Sequence, residues 1–278
     1  MDVVHYTDPA CPFAFSAEPQ RLQLRWHYGD QLTWRTVMIG LAEHPDDVAA
    51  KGLTPAIIAG AYQMLHDQHG MPINVAERER LMATVPACRA VVATRRHAPQ
   101  LEDALLRRLR VRTMAGELLD LDSTIDGAAT DTGLDPTELR AWMAEPETEA
   151  ALRDDMREAR TPHPSALVLV HKLSPSEDGG RRYSAPSYEL RNGDDIAAAP
   201  GFQPWETYDV AVANLAPGVE RRAPATDVTE VLAWADMPLA TAEVAAIRGI
   251  DIATARTELR DAGATFAAVG EDGYWDAA

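Results

Sequence analysis

A chain of 278 residues with 46% hydrophobic side chains and only two cysteines can fill one large core or two modest ones, and it excludes a disulfide framework. Its formal net charge of −17 repels phosphate backbones and anionic membranes, which argues against nucleic acid as a partner. The start MDVVHYTD lacks a basic region followed by an apolar run, and no stretch of about 18 apolar residues occurs, so neither secretion nor membrane insertion is expected and a cytoplasmic location is.

Residues 3–7 read as a short strand and 31–39, QLTWRTVMI, as a second, with Leu32, Trp34, Thr36 and Met38 alternating onto one face. Between them Phe15, Pro19, Leu22 and Trp26 recur at helical spacing and Gly29 ends the helix. Pro19 removes a backbone donor and is expected to kink that helix without ending it. The unit is β-α-β with Cys11 at the strand–helix junction.

From about 41 to 160 the pattern turns helical. TPAIIAGAYQMLHDQHG opens on Thr54 as N-cap with Pro55 in the first turn and closes at Gly70; PACRAVVATRR, QLEDALLRRLRVRTMAGEL, DPTELRAWMAE and PETEAALRDDMREAR follow. The continuous apolar run in SALVLVHKL suits a strand buried on both faces, and RRYSAPSY, after the turn SEDGG, is its expected hairpin partner. QPWETYDVAVANLAP reads as a closing helix and GVERRAPATD as a linker.

The end of the chain reads as three short helices, DVTEVLAWA, ATAEVAAIRG and DIATARTELRDAG, then a hairpin ATFAAVGEDGYWD with an Asp-Gly turn, the order of a winged helix-turn-helix. Between 224 and 278 three arginines stand against ten carboxylates, so DNA binding is not expected. Val244, Ile247, Ile252, Leu259, Phe266 and Trp275 are the expected small core. Docking, dimerisation or covering the thiol cleft are the roles left to this unit.

Cys11 starts the first helix, where unpaired N–H groups and the positive dipole end favour a thiolate and lower its pKa. Here the chain resembles thioredoxin-fold proteins of the DsbA-like group, including FrnE-type oxidoreductases, and more distantly kappa-class glutathione transferases and 2-hydroxychromene-2-carboxylate isomerases. The resemblance rests on DPACPF, on Pro19 eight positions after Cys11, on the long helical insertion and on HPSALVLV; the stretch from PSYELRNGDD to GVERR is similar to actinobacterial members. It implies a cis bond at His163-Pro164, in a loop facing the thiol. The fold class that follows is α/β, a thioredoxin-like fold of residues 1–40 and 161–222 with a large α-helical insertion at 41–160 and a small winged-helix-like domain at 224–278.

Ala14 stands where a dithiol enzyme of this group carries its second cysteine, so Cys11 cannot be resolved within its own motif. A monothiol mechanism with a small resolving thiol, a non-redox site that binds such a thiol and a substrate, and a retired site in a scaffold all remain open. Cys11 is assigned as the nucleophile or thiol-contacting residue, with Pro12, Phe13 and Ala14 shaping an apolar helix start. His163, Pro164 and Ser165 form the expected opposing loop, with His163 as general base or ligand contact. Cys88 is the candidate resolving thiol, weighed against a small apolar filler on a helix.

No tightly bound cofactor is expected; glutathione or mycothiol would serve as co-substrate. The expected partners are a small thiol with a hydrophobic small molecule or a protein substrate, and monomer and homodimer are both open. His66 and His69 lie three apart on a helix but have no obvious third ligand, so they read as exposed polar residues and no metal site is assigned. Three functions compete: a thiol oxidoreductase, a thiol-dependent isomerase or transferase, and a non-catalytic adaptor that keeps the fold.

Overall fold

In the computed structural model, which describes residues 1–177 and 179–277, strand β1 (Asp2–Thr7) is central in a four-stranded sheet ordered β2-β1-β5-β6. It runs parallel to β2 (Thr33–Met38) and antiparallel to β5 (Ser187–Asn192), which pairs in turn with β6 (Asp195–Ala199). Val3 to Thr7 are all buried, because β1 is covered on both faces. The helix between β1 and β2 divides into α1 (Pro12–Ser16) and α2 (Glu18–Tyr28) at Ala17, just before the expected kink, and Gly29 ends it at φ 49°.

The insertion is built of helices, α3 (Pro45–Ala49), α4 (Pro55–His69), α5 (Val85–His97), α6 (Glu102–Ala115), α7 (Asp122–Asp131), α8 (Pro136–Met143) and α9 (Pro146–Ala159), with an irregular segment over 70–84. Thr54 caps α4 by accepting from the Ile57 amide at 3.2 Å, and Gly70 closes it in the left-handed region. Helices α3 and α7 are additional to the expected set. The interior side chains of α7 include Ala128 and Ala129 beside Ile125, too small to draw a clear apolar stripe.

The segment after α9 departs from expectation. Residues Pro164–Lys172, which take in all of SALVLVHKL but its last residue, form a run of 3-10 turns, with Leu167, Val168 and Val170 exposed. The place beside β1 that such a strand would fill is taken by β5, so the run pairs with nothing in the sheet. A hairpin across SEDGG survives only as the two-residue strands β3 (Ser174–Pro175) and β4 (Arg181–Arg182), and Asp178 of that turn lies outside the described residues. The hairpin of β5 and β6 turns on Asn192-Gly193-Asp194, with Gly193 at φ 61°. Helix α10 (Trp205–Leu215) then packs on this sheet.

The C-terminal unit comprises α11 (Val228–Ala235), β7 (Leu239–Ala240), α12 (Thr241–Arg248), α13 (Ile252–Asp261), β8 (Thr265–Val269) and β9 (Asp272–Asp276), the strands joined as β7-β9-β8. Its turn falls at Gly270-Glu271 rather than at Asp272-Gly273. Gly273 lies inside β9 opposite Ala268, where a Cβ would meet the Phe266 ring at 2.6 Å. Val244, Ile247, Leu259 and Trp275 are buried as expected, whereas Ile252 and Phe266 are partly exposed at 37% and 45%.

Through this core the unit is fused to the rest of the protein. Leu22 and Trp26 of α2 pack among Val231, Leu232, Val244 and Trp275, and Phe15 of α1 packs with Ala240, Ala242 and Tyr274. The expected linker is tied down as well: Trp26 Nε1 donates to the Ala223 carbonyl at 2.8 Å and the Arg222 guanidinium lies 3.5 Å from the Trp26 ring. Among the described residues no helix is long and apolar enough to cross a membrane.

Candidate functional site

The turn into α1 is built around Asp8. Its Oδ1 accepts from the Ala10 amide and its Oδ2 from the Leu41 amide and the Thr84 hydroxyl, each at 2.9 Å, while its carbonyl accepts from the Cys11 amide at 3.2 Å. A buried carboxylate saturated in this way pins the β1–α1 turn to the insertion. Cys11 takes the N-cap position with Pro12 next, and its carbonyl accepts from the Phe15 amide at 3.1 Å.

Opposite Cys11 stands the Ala185-Pro186 peptide, which is cis; Cys11 Sγ donates to the Ala185 carbonyl at 3.2 Å. This replaces the expected opposing loop. The cis bond is not at His163-Pro164, and His163, Pro164 and Ser165 neither hydrogen-bond to the thiol nor line its cleft. His163 instead caps the 3-10 run: its Nδ1 accepts from the Ser165 amide at 3.2 Å, and its amide donates to the Tyr183 hydroxyl at 3.1 Å. Pro186 directly precedes the alternating strand SYEL, and that juxtaposition was the available signal for the true loop.

The thiol is not the exposed thiolate expected from its position. Cys11 is 7% exposed, and burial pushes its pKa up to about 11. The amides of Ala14 and Phe13 oppose this shift, and the Asp8 carboxylate adds to it. A five-residue helix supplies too weak a field to outweigh removal of the sulfur from water. At rest the sulfur is therefore a neutral thiol, bonded to a carbonyl.

Ala14 is 1% exposed and packs beneath Cys11 with Val37, Ile39 and Ala159, so a methyl group fills the second-thiol position. Phe13 is 43% exposed at the rim. Cys88 is fully buried on the inner face of α5 and approaches Asp8 Oδ2 at 3.4 Å; it does not line the cleft. Both cysteines are free. A resolving role for Cys88 is thereby corrected to that of a packed core thiol.

Cys11 lies in the wall of a cleft of about 630 Å³ between α4 and the loops at 182–185 and 201–202, with apolar lining from Phe13, Leu53, Ile57, Ile58, Tyr62 and Phe202. That size falls in the range of small-molecule sites. His66 and His69 are engaged separately, His66 Nδ1 at 2.9 Å from the Met71 carbonyl and the His69 ring stacked on Phe202. Among the described residues no group of three or more metal-ligating side chains occurs.

Behind the thiol helix lies a charge network that the sequence did not announce. Glu18, 1% exposed, receives Arg21 at 2.8 Å, Arg110 and, at 3.8 Å, Arg107. Arg21 also reaches Asp103 at 2.9 Å, Arg110 reaches Thr7, and Arg107 reaches Glu243 of α12 at 2.5 Å. Burial alone raises the Glu18 pKa, but the three guanidinium groups outweigh it and hold the carboxyl well below the usual range. The network joins β1, α2, α6 and α12.

A β-α-β unit with a cysteine opening its first helix and a cis X-Pro peptide facing that sulfur defines a thioredoxin-like protein. The DSBA-like thioredoxin domain model matches residues 2–162, and the chain belongs to that family. Among solved structures it is similar to a candidate protein disulfide isomerase from Nitrosomonas europaea, with 18% identity, a TM-score of 0.57, and coverage of 77% of this chain and 94% of that one. It is also similar to the cytosolic disulfide reductase DsbM from Pseudomonas aeruginosa, solved with GSH, at 17% identity and a TM-score of 0.52 over 77% of this chain and all of that one. A candidate DsbA oxidoreductase from Streptomyces coelicolor has a TM-score of 0.55 at 18% identity, over 81% of this chain and 93% of that one. No curated protein matches the sequence.

Proposed function

We propose that this DsbA-like protein performs single-thiol exchange: Cys11 meets a small disulfide or thiol in the apolar cleft, and a second small thiol from solution releases it. The observation that carries this reading is the Cys11 Sγ in the wall of a preformed cleft, opposite Ala185-Pro186, with Ala14 in place of a second sulfur. In the first step the Cys11 thiolate attacks one sulfur of the disulfide, forming a mixed disulfide and expelling one thiolate; a second thiolate then attacks the mixed bond and restores Cys11. The GSH-bound neighbour supports glutathione as one such thiol, and mycothiol fits the same chemistry. Two unpaired thiols suit a reducing compartment such as the cytoplasm.

Intact-mass measurement after incubation with oxidised glutathione is expected to show one glutathione adduct, mapped to Cys11 and absent in Cys11→Ser. The rate should climb with pH, since only the thiolate attacks. An adduct on Cys88, or none on Cys11 at high pH in the folded protein, contradicts the reading.

The neutral state of Cys11 favours a second reading, a thiol-dependent isomerase or transferase, in which the bound small thiol is the nucleophile and the Cys11 S–H donates a hydrogen bond. Turnover would then require the small thiol without consuming it, and would survive Cys11→Ser because the hydroxyl also donates.

A further inference from the structure

The cleft beside Cys11 carries a charge opposite to that of the whole protein. The chain contains two lysines, Lys51 and Lys172, and both line this cleft, together with Arg182. Among the described residues no Asp or Glu side chain contributes to its wall. Elsewhere arginines are matched to carboxylates again and again, as in Arg80–Asp120, Arg89–Glu149 and Arg248–Glu258. Among the described residues neither lysine nor Arg182 has an ion-pair partner. Each makes a single hydrogen bond to a backbone carbonyl instead: Lys51 Nζ to Leu41 at 2.8 Å, Lys172 Nζ to Phe202 at 3.3 Å and Arg182 Nη1 to Tyr183 at 2.9 Å. Most of their donor capacity is left for a ligand.

Two of the acids that act on these cations, Asp8 and Asp47, are committed to other groups. Asp8 is saturated by Ala10, Leu41, Thr84 and Cys88, and Asp47 accepts from the Glu43 and His44 amides. Glu177 acts on Lys51 and Arg182 only from beyond ion-pair distance. Burial lowers the pKa of both Lys51 and Arg182; the charge of Arg182 lowers Lys51 further, and that of Arg160 does the same to Arg182. Cations held against one another at the edge of an apolar wall are stabilised by an arriving anion.

We propose that this cleft binds an amphipathic carboxylate, its aliphatic or aromatic body against Phe13, Ile57, Tyr62 and Phe202 and its acid group on the cations Lys51 and Arg182. The inference shares the cleft with the thiol reading but needs no reacting sulfur, so it is tested on Cys11→Ser protein as well as on the natural chain. Calorimetric titration with decanoate, decan-1-ol and decyltrimethylammonium holds the apolar chain constant and changes only the head group. Decanoate is expected to bind about tenfold more tightly than the alcohol, and the cation more weakly than either. The double variant Lys51→Met, Arg182→Met should bring decanoate down to the alcohol's affinity and leave the alcohol's affinity unchanged.

Protection supplies a second readout without substitution. Decanoate should shield Lys51 and Lys172 from acetylation by an activated ester, with the Met1 amine as internal reference, and decan-1-ol should shield them less. Equal binding of acid and alcohol, or preference for the cation as the net charge of −17 alone would dictate, overturns the proposal. Anion preference in Cys11→Ser together with no glutathione adduct on Cys11 of the natural chain would fail the thiol reading only; a normal adduct on the natural chain with no anion preference in either protein would fail this one only.

Discussion

Replacing Glu18 with Ala is expected to cost about 3–5 kcal/mol of folding stability, the range for breaking a buried ion pair by removing one partner. The side chain is 1% exposed and is the shared acceptor for Arg21, Arg107 and Arg110, so its loss leaves guanidinium groups buried with too little opposite charge. Glu18→Gln should lose less, because it keeps an acceptor oxygen for one of the three. Urea unfolding followed by circular dichroism measures both. The same group predicts an acid limb: its folded pKa lies below the unfolded value of about 4.3. Its contribution is thus fully present above the unfolded pKa and drains away as pH falls below about 4. A Glu18→Ala protein as stable as the parent at pH 7 would show that the network is not a structural joint.

Ending the chain at residue 223 is expected to abolish the native fold of what remains. The cut exposes Phe15, Leu22 and Trp26, each close to fully buried, at about 1.5–3 kcal/mol per large apolar side chain, and strips Glu243 from Arg107. The sum approaches the whole stability of an ordinary domain, about 5–15 kcal/mol. The truncated chain should bind a hydrophobic dye and lose its cooperative melting transition, and Cys11 and Cys88 should become equally reactive. A truncated chain that melts cooperatively and still protects Cys88 would make the C-terminal unit a separable appendage.

Much of the fold was legible because its signals are local. The period-two face of β2, Thr54 and Pro55 opening α4, Gly70 closing it and the stripe Phe15, Pro19, Leu22 and Trp26 all survive as read. The failures are of another kind. SALVLVHKL has the composition of a buried strand, but pairing is decided by competition for the edge of β1, and YELRN wins it with a hairpin set by Asn192-Gly193. Once that strand was misplaced, the facing proline was misplaced with it, from Pro186 to Pro164.

The site was half legible for the same reason. The position of Cys11 and the gap at Ala14 are written in DPACPFA, but the state of the thiol is set by burial and by Asp8, which no spacing rule conveys. The buried Glu18 cluster is similarly silent, since Glu18–Arg21 at i,i+3 looks like any solvent-facing pair until Arg107 and Arg110 arrive from α6. Two lysines in 278 residues were countable from the start, yet only the fold brings both into one cleft with Arg182.

The most direct test is the rate of iodoacetamide alkylation of Cys11 followed from pH 6 to pH 11.5 in folded protein, with Cys88 in the same sample as a buried reference. The structure predicts a rate still climbing at pH 10, an apparent pKa near 11, and at neutral pH a thiolate population roughly 100-fold or more below that of a free cysteine, whose pKa is about 8.5. A plateau reached at or below pH 8.5 would contradict the neutral resting thiol and return Cys11 to the class of activated nucleophiles.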